Sequence, residues 1–300
     1  MSDMRAQVGE LLDVMRPVIT AISVYKWGGD GKSQFWEFLR RAALQRQFEA
    51  MDAICAMSDA GHGHFGVTLL RPAFEELVWV EFLSKNVDIA RILILPLSVR
   101  EVATSIRAQI SYGGIQSLEV LGFEKKQLIG WLSGRPKIEA HIKEALIKLG
   151  WNNKTKLLPT MKFLAKSVGR DKEYDYIYHG TSRFVHFSTQ ELLRHVWGKH
   201  GEVHVSTKHF SRFWSHFALY WGFWILLHLV IACGDLVPDH DTDTGKDLDL
   251  YKERFTTLLG NLERMPIITA EELEAWAVPT VADAPSDPQA SPSPPSGVSV

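Results

Sequence analysis

Cysteine is nearly missing from this 300-residue chain: only Cys55 and Cys233 occur, far apart and without a paired spacing. A disulfide framework and a zinc ribbon are therefore excluded, and a reducing cytoplasm is the expected compartment. A surplus of either charge is missing too. The 33 Lys and Arg against 35 Asp and Glu leave a net charge of -2, so no whole-surface field draws the chain to nucleic acid or to an acidic membrane. Such a partner needs a local patch. The opening stretch MSDMRAQVGELLDVMRP carries acids and no continuous apolar run, so no secretory signal is expected. A convincing series of alternating strands is also absent.

What is present is apolar material at helical spacing. With 46% hydrophobic and 11% aromatic residues, the chain can bury a sizeable core. Helices are expected from Ser2 or Asp3 to Val24, from Ser33 to Ala60, from Phe65 to Lys85 and from Asp88 to Ile110. Two shorter ones follow, Ser117 to Leu132 and Lys137 to Leu149, then a segment from Thr155 to Val168, and a last amphipathic helix from Lys246 to Leu262. From Pro279 the chain turns to Pro, Ser, Ala and Asp without periodicity, a composition that cannot bury enough apolar surface to order itself. The expected architecture is all-α: residues 1–278 as a single bundle of about eight to ten helices around a Trp-rich core, and 279–300 as a disordered Pro/Ser-rich tail.

The apolar run FALYWGFWILLHLVIAC, Phe217 to Cys233, raises the question of a membrane. Its 17 residues fall short of the roughly 20 needed to cross bilayer hydrocarbon, and His228 interrupts it, so a central core helix is the first expectation and a single-pass span the alternative.

Three motifs resemble sites and are set aside. Gly31-Lys32-Ser33 suggests a phosphate loop, but Lys26 stands where the pattern requires glycine. In Asp239 to Asp249 the acids alternate as in calcium loops, yet the glycine is seventh rather than sixth and Leu250 replaces the final glutamate. Seven histidines lie between His179 and His216 without a zinc spacing. No metal and no cofactor are expected. The same window holds Arg183, Arg194, Lys199, Lys208 and Arg212 against Glu191 and Glu202, the chain's best footprint for a polyanion.

Two stretches carry chemistry. In YIYHGTSRFVHFSTQELLRH, which begins at Tyr176, helical geometry would place Tyr178, Ser182 and His186 one turn apart, with His179 and Arg183 beside them. In LLRPAFEELVWVEFL, Arg71 and Glu75 stand at i and i+4 among Leu69, Leu70, Phe74, Leu77 and Val78. A charged pair so placed should be partly buried and should contact the Ser182–His186 helix, because its desolvation requires further donors and acceptors.

The LLRxxFE helix and the YxxxSxxxH helix together resemble a family of uncharacterised bacterial all-helical proteins, over roughly Gln45 to Leu193. That family is similar to the HEPN helical bundles, many of which are metal-independent ribonucleases of toxin and phage-defence systems. In those bundles an Arg and a His separated by four to six residues serve cleavage, usually at a dimer interface. Here only two residues separate Arg183 from His186. The resemblance implies a metal-independent ribonuclease of a defence or stress system, with His186 moving protons, Arg71 or Arg183 stabilising phosphate, and Tyr178 or Ser182 orienting it beside Glu75. Its implied partners are RNA, a second copy of the chain and a protein encoded nearby, with no membrane. The rival expectation is a non-catalytic binding or scaffold protein whose Arg-Glu-Ser-His network is structural.

Overall fold

The helical spacing of the sequence resolves into helices in the computed structural model, which describes residues 2–24, 31–199 and 202–236, together with 253, 254, 256, 257, 259, 260, 267 and 268. In chain order they are α1 (Ser2–Ser23), α2 (Gly31–Asp59), a 3-10 turn (Gly63–Gly66), α3 (Val67–Ser84), α4 (Val87–Val120), α5 (Lys125–Lys148) and α6 (Met161–Val168). The short α7 (Asp171–Glu173) leads through a π-helical turn (Tyr174–Tyr178) into α8 (His179–Val185) and α9 (Thr189–Leu193). An antiparallel hairpin of β1 (Val196–Lys199) and β2 (Glu202–Val205) precedes α10 (Ser211–Ala232). The all-α class expected from the sequence is the class observed among the described residues.

The Phe217–Cys233 run forms most of α10, and it lies at the centre of the fold. Every residue from Phe217 to Leu227 is buried, with α2, α3 and the 3-10 turn packed around the helix. By length and composition α10 is able to cross a membrane, and 78% of its most apolar window is buried against the rest of the chain. Glycine permits a close approach of α2 and α10. A Cβ on Gly222 would lie 2.9 Å from Met51 Sδ and 3.1 Å from Ile54 Cδ1, so α2 and α10 meet where α10 has no side chain. Trp36, Trp214, Trp221 and Trp224 are all buried in this core.

Several expected boundaries are corrected. The break expected between Leu132 and Lys137 does not occur: α5 continues through Pro136, which forfeits only the bond to the Leu132 carbonyl, while Leu128, Ile142, Ala145 and Leu146 anchor the helix on both sides. The break falls earlier, at Gly122, whose φ of 88° only glycine adopts readily. The break expected between Ile110 and Ser117 is present as a kink inside α4, where Gly114 is non-helical with φ 74° and ψ 168°. The Thr155–Val168 segment is helical only from Met161, where Thr160 caps the helix by accepting from Phe163 N–H. The hairpin was not expected, and every residue of its second strand is exposed.

The compact unit spans Met1–Met265; of a second unit, Pro266–Val300, only Ile267 and Ile268 are described. The described residues from 253 to 260 are helical, within the span expected for the last helix. The acidic run 239–249 and the tail from 279 lie outside the described residues.

Candidate functional site

Arg71 is the hub. It sits on α3, one turn before Glu75, and its three guanidinium nitrogens take three different partners. Nε donates to Glu75 Oε1 at 3.2 Å, Nη1 meets His186 Nε2 at 2.6 Å, and Nη2 donates to the Tyr178 hydroxyl at 2.6 Å. The guanidinium also lies over the Tyr178 ring, 4.3 Å from its centroid. With Nη1 donating, His186 Nε2 must present its lone pair, which puts the imidazole proton on Nδ1.

The local backbone explains how these groups converge. The π-helical turn at Tyr174–Tyr178 widens the helix just before α8, and Tyr174 and Tyr178 stack there at 4.8 Å. Next, α8 ends at Val185. His186 is extended, with φ −115° and ψ 161°, and its N–H bonds back to the Ser182 carbonyl. Ser188 then caps α9 by accepting from Glu191 N–H. The expectation of one continuous helix through His186 is therefore corrected. The sequence carried the signal: Ser188-x-x-Glu191 is a helix-start pattern that stops the preceding helix.

The expected residues divide into two groups. Arg71, Glu75, Tyr178 and His186 are brought together. Ser182 meets them only through the backbone: its hydroxyl donates to the Tyr178 carbonyl at 2.5 Å and so braces the backbone beneath the tyrosine. Arg183 turns to His179 Nε2 at 2.8 Å on the same helix. The pair is partly buried, as expected, with side-chain exposures of 18% for Arg71 and 34% for Glu75, and His186 is exposed. Solvent, and hence a solute, reaches the centre.

Beside it opens a pocket of about 520 Å³ lined by Lys162, Tyr174, Asp175, Tyr178, His179 and Ser182. Lys162 Nζ and Asp175 Oδ1 stand 3.8 Å apart at its rim. Burial, reinforced by Tyr178 and Asp175, pushes the Tyr174 hydroxyl above the ordinary phenol range, so it stays protonated. Sequence reasoning passed over Lys162, Tyr174 and Asp175. The i, i+4 spacing of Tyr174 and Tyr178 was the available signal.

A second polar network, also missed, lies deeper. Arg170 donates twice to Glu81, at 3.0 and 2.6 Å, and once to His228 Nδ1 at 3.0 Å, with its guanidinium 4.7 Å from the Trp224 ring. Burial, with Arg170 adding to it, lowers His228 to a pKa of about 4. The polyanion footprint loses a member as well: Arg194 is buried, paired with Glu191 at 3.1 Å and set against Trp214. Burial raises the Glu191 carboxyl, against the pull of Arg194. Among the described residues, no group of three or more His, Cys, Asp or Glu side chains is arranged to hold a metal ion.

Searches of curated proteins and of solved structures each found no match to this chain. The model of the Family of unknown function (DUF5677) matches residues 39–204, more than half of the chain and a span that holds all six expected site residues, and the chain belongs to that family.

Proposed function

We propose that this protein is a metal-independent ribonuclease whose reacting centre is His186, Arg71 and Tyr178. One observation carries the reading: a partly buried arginine holds an exposed histidine's ring nitrogen and a tyrosine hydroxyl at 2.6 Å each, from segments 115 and 107 residues away. The Arg-His pair that the spacing of Arg183 and His186 did not supply is thus built across the fold, from α3 and the end of α8. The setting, bacterial defence or stress, rests on the HEPN resemblance.

The chemistry follows from the three groups. An RNA phosphate drawn to Arg71 takes guanidinium donors and frees His186 Nε2, which then accepts the 2′-hydroxyl proton. The 2′-oxygen forms a bond to phosphorus while the bond from phosphorus to the 5′-oxygen breaks, leaving a 2′,3′-cyclic phosphate and a 5′-hydroxyl. Arg71 stabilises the charge on the phosphorane, and the Tyr178 hydroxyl, polarised by Arg71, protonates the departing oxygen and regains a proton from His186. Glu75 fixes the guanidinium plane through Nε.

The rival reading, a structural network, has its own support: every guanidinium nitrogen of Arg71 already has a protein partner. Two substitutions separate them. His186→Ala should abolish cleavage of single-stranded RNA in the presence of chelator and leave the thermal midpoint nearly unchanged, because His186 is exposed. Arg71→Ala should abolish cleavage and also lower stability by about 1–3 kcal/mol, since Glu75 and Tyr178 both lose their partner. If wild type leaves RNA intact with and without chelator, and His186→Ala destabilises as much as Arg71→Ala, the network is structural.

A further inference from the structure

Arg71, Tyr178 and Tyr174 form a three-layer stack: the guanidinium lies 4.3 Å from one ring centroid, and the second ring 4.8 Å from the first at an interplanar angle of 29°. Tyr174 ends this stack as part of the wall of the 520 Å³ pocket. A flat aromatic ligand entering the pocket continues the series, as unpaired bases do when they stack on aromatic side chains. The volume is in the range of small-molecule sites.

The rim says which base. Lys162 Nζ, a donor, and Asp175 Oδ1, an acceptor, stand 3.8 Å apart, and both side chains are more than half exposed, at 72% and 66%. Neither is committed to the core, and the pair is too open to contribute much to stability. Guanine alone among the RNA bases presents, along its Watson–Crick edge, one acceptor (O6) followed by two donors (N1–H and the N2 amino group). An ammonium next to a carboxylate offers the matching sequence, Lys162 to O6 and Asp175 to N1–H and N2–H. Adenine and cytosine pair a donor with a ring acceptor that would face the carboxylate lone pairs. Uracil offers a single N–H flanked by two carbonyls.

We infer that the pocket lined by Lys162, Tyr174 and Asp175 is a guanine-binding site, which seats an unpaired guanosine of the RNA next to the Arg71–His186 centre. Placing that guanosine next to a scissile phosphate rests on the ribonuclease reading; the binding of the base does not. His179 lines the same pocket, is exposed, and is bonded to Arg183.

The test separates base binding from cleavage by measuring both on the full chain. Calorimetry with 5′-GMP, 5′-AMP, 5′-CMP and 5′-UMP should show GMP bound roughly tenfold or more tightly than the others, the discrimination expected when a site built for two donors meets a base lacking them. Asp175→Asn should remove that preference, Tyr174→Leu should weaken all four by roughly tenfold, and Tyr174→Phe, which keeps the ring, should bind like wild type. Asp175 is exposed, so Asp175→Asn remains informative even if Tyr174→Leu fails to fold. In parallel, chelator-treated wild type is given oligonucleotides with one guanosine and with none. GMP selectivity that depends on Asp175, without cleavage of either oligonucleotide, leaves the guanine site standing and removes the ribonuclease reading. Cleavage with equal affinity for all four nucleotides, no binding of GMP, or a preference untouched by Asp175→Asn overturns the guanine site.

Discussion

Arg71 and Arg170 make the same contact, a guanidinium nitrogen donating to an imidazole nitrogen, in opposite surroundings. His186 is exposed, whereas His228 is held within α10 against Trp224, with ring centroids 4.2 Å apart. Burial therefore governs His228 and lowers it to about 4, and it also lowers His64, which is 3% exposed and has no hydrogen-bond partner on either ring nitrogen among the described residues. Both histidines remain neutral in the folded chain at a pH where the unfolded chain has taken up a proton. Stability is accordingly complete above pH 6.5, the unperturbed histidine value, and is lost as the pH falls from there toward 4. The contribution of His228 is on the order of 3 kcal/mol across that window. His228→Asn, whose side-chain carbonyl replaces the Nδ1 acceptor, should flatten the decline. Urea midpoints at pH 7.5, 5.5 and 4.5 measure it, and an equal loss in wild type and variant would exclude His228 as the source. The Cys55 and Cys233 thiols, pushed by burial to about 11 and about 12, leave no reactive thiolate at neutral pH.

Among the elements, what the sequence revealed depended on whether the signal was local. The order of helices was legible because each presents apolar residues at a 3.6 period, and the Arg71–Glu75 pair stood out because charge is rare in its apolar run. The partners of that pair were half legible: Tyr178 and His186 belong to a recognisable polar segment, but their meeting with Arg71 depends on the π-helical turn and on the end of α8 at Val185. The Arg170–Glu81–His228 network was not legible at all, since its members are 89 and 58 residues apart and no local pattern links them. Pro136 misled because tertiary anchoring overrode its local preference. Gly222, read only as an interruption of the apolar run, is the contact point of α2 and α10. Gly222→Leu should therefore lower stability by about 1–3 kcal/mol or more by overpacking against Met51 and Ile54, whereas Gly130→Ala, with nothing near its Cβ position, should be neutral or slightly stabilising. Thermal midpoints of the two variants check this, and a Gly222→Leu protein as stable as wild type would show that the close approach is not required.

At the scale of the whole molecule, one helix determines how the rest is arranged. The 3-10 turn, α2 and α3 all pack on α10, and α3 in turn contacts α6 and α8, so Arg71 and Glu75 are fixed to the central helix through α3. This layering accounts for the placement of the polar centre: Leu70, Phe74, Leu77 and Val78 point α3 into the core, and Arg71 and Glu75, on the adjoining stripe of the same helix, reach the surface over α8. It also gives the apolar run a role that a lipid-facing helix would not have. A spanning helix turns its large side chains outward to hydrocarbon, yet Phe217, Phe223, Leu226 and Ile225 are fully buried by protein here. The protein should accordingly remain in the supernatant after high-speed centrifugation without detergent, and its tryptophan emission should be that of buried indole, shifting red in a single cooperative transition on unfolding. Recovery in the membrane pellet, released only by detergent, would mean that α10 leaves this core for the bilayer, and with it α3 would lose the support that holds Arg71 against His186.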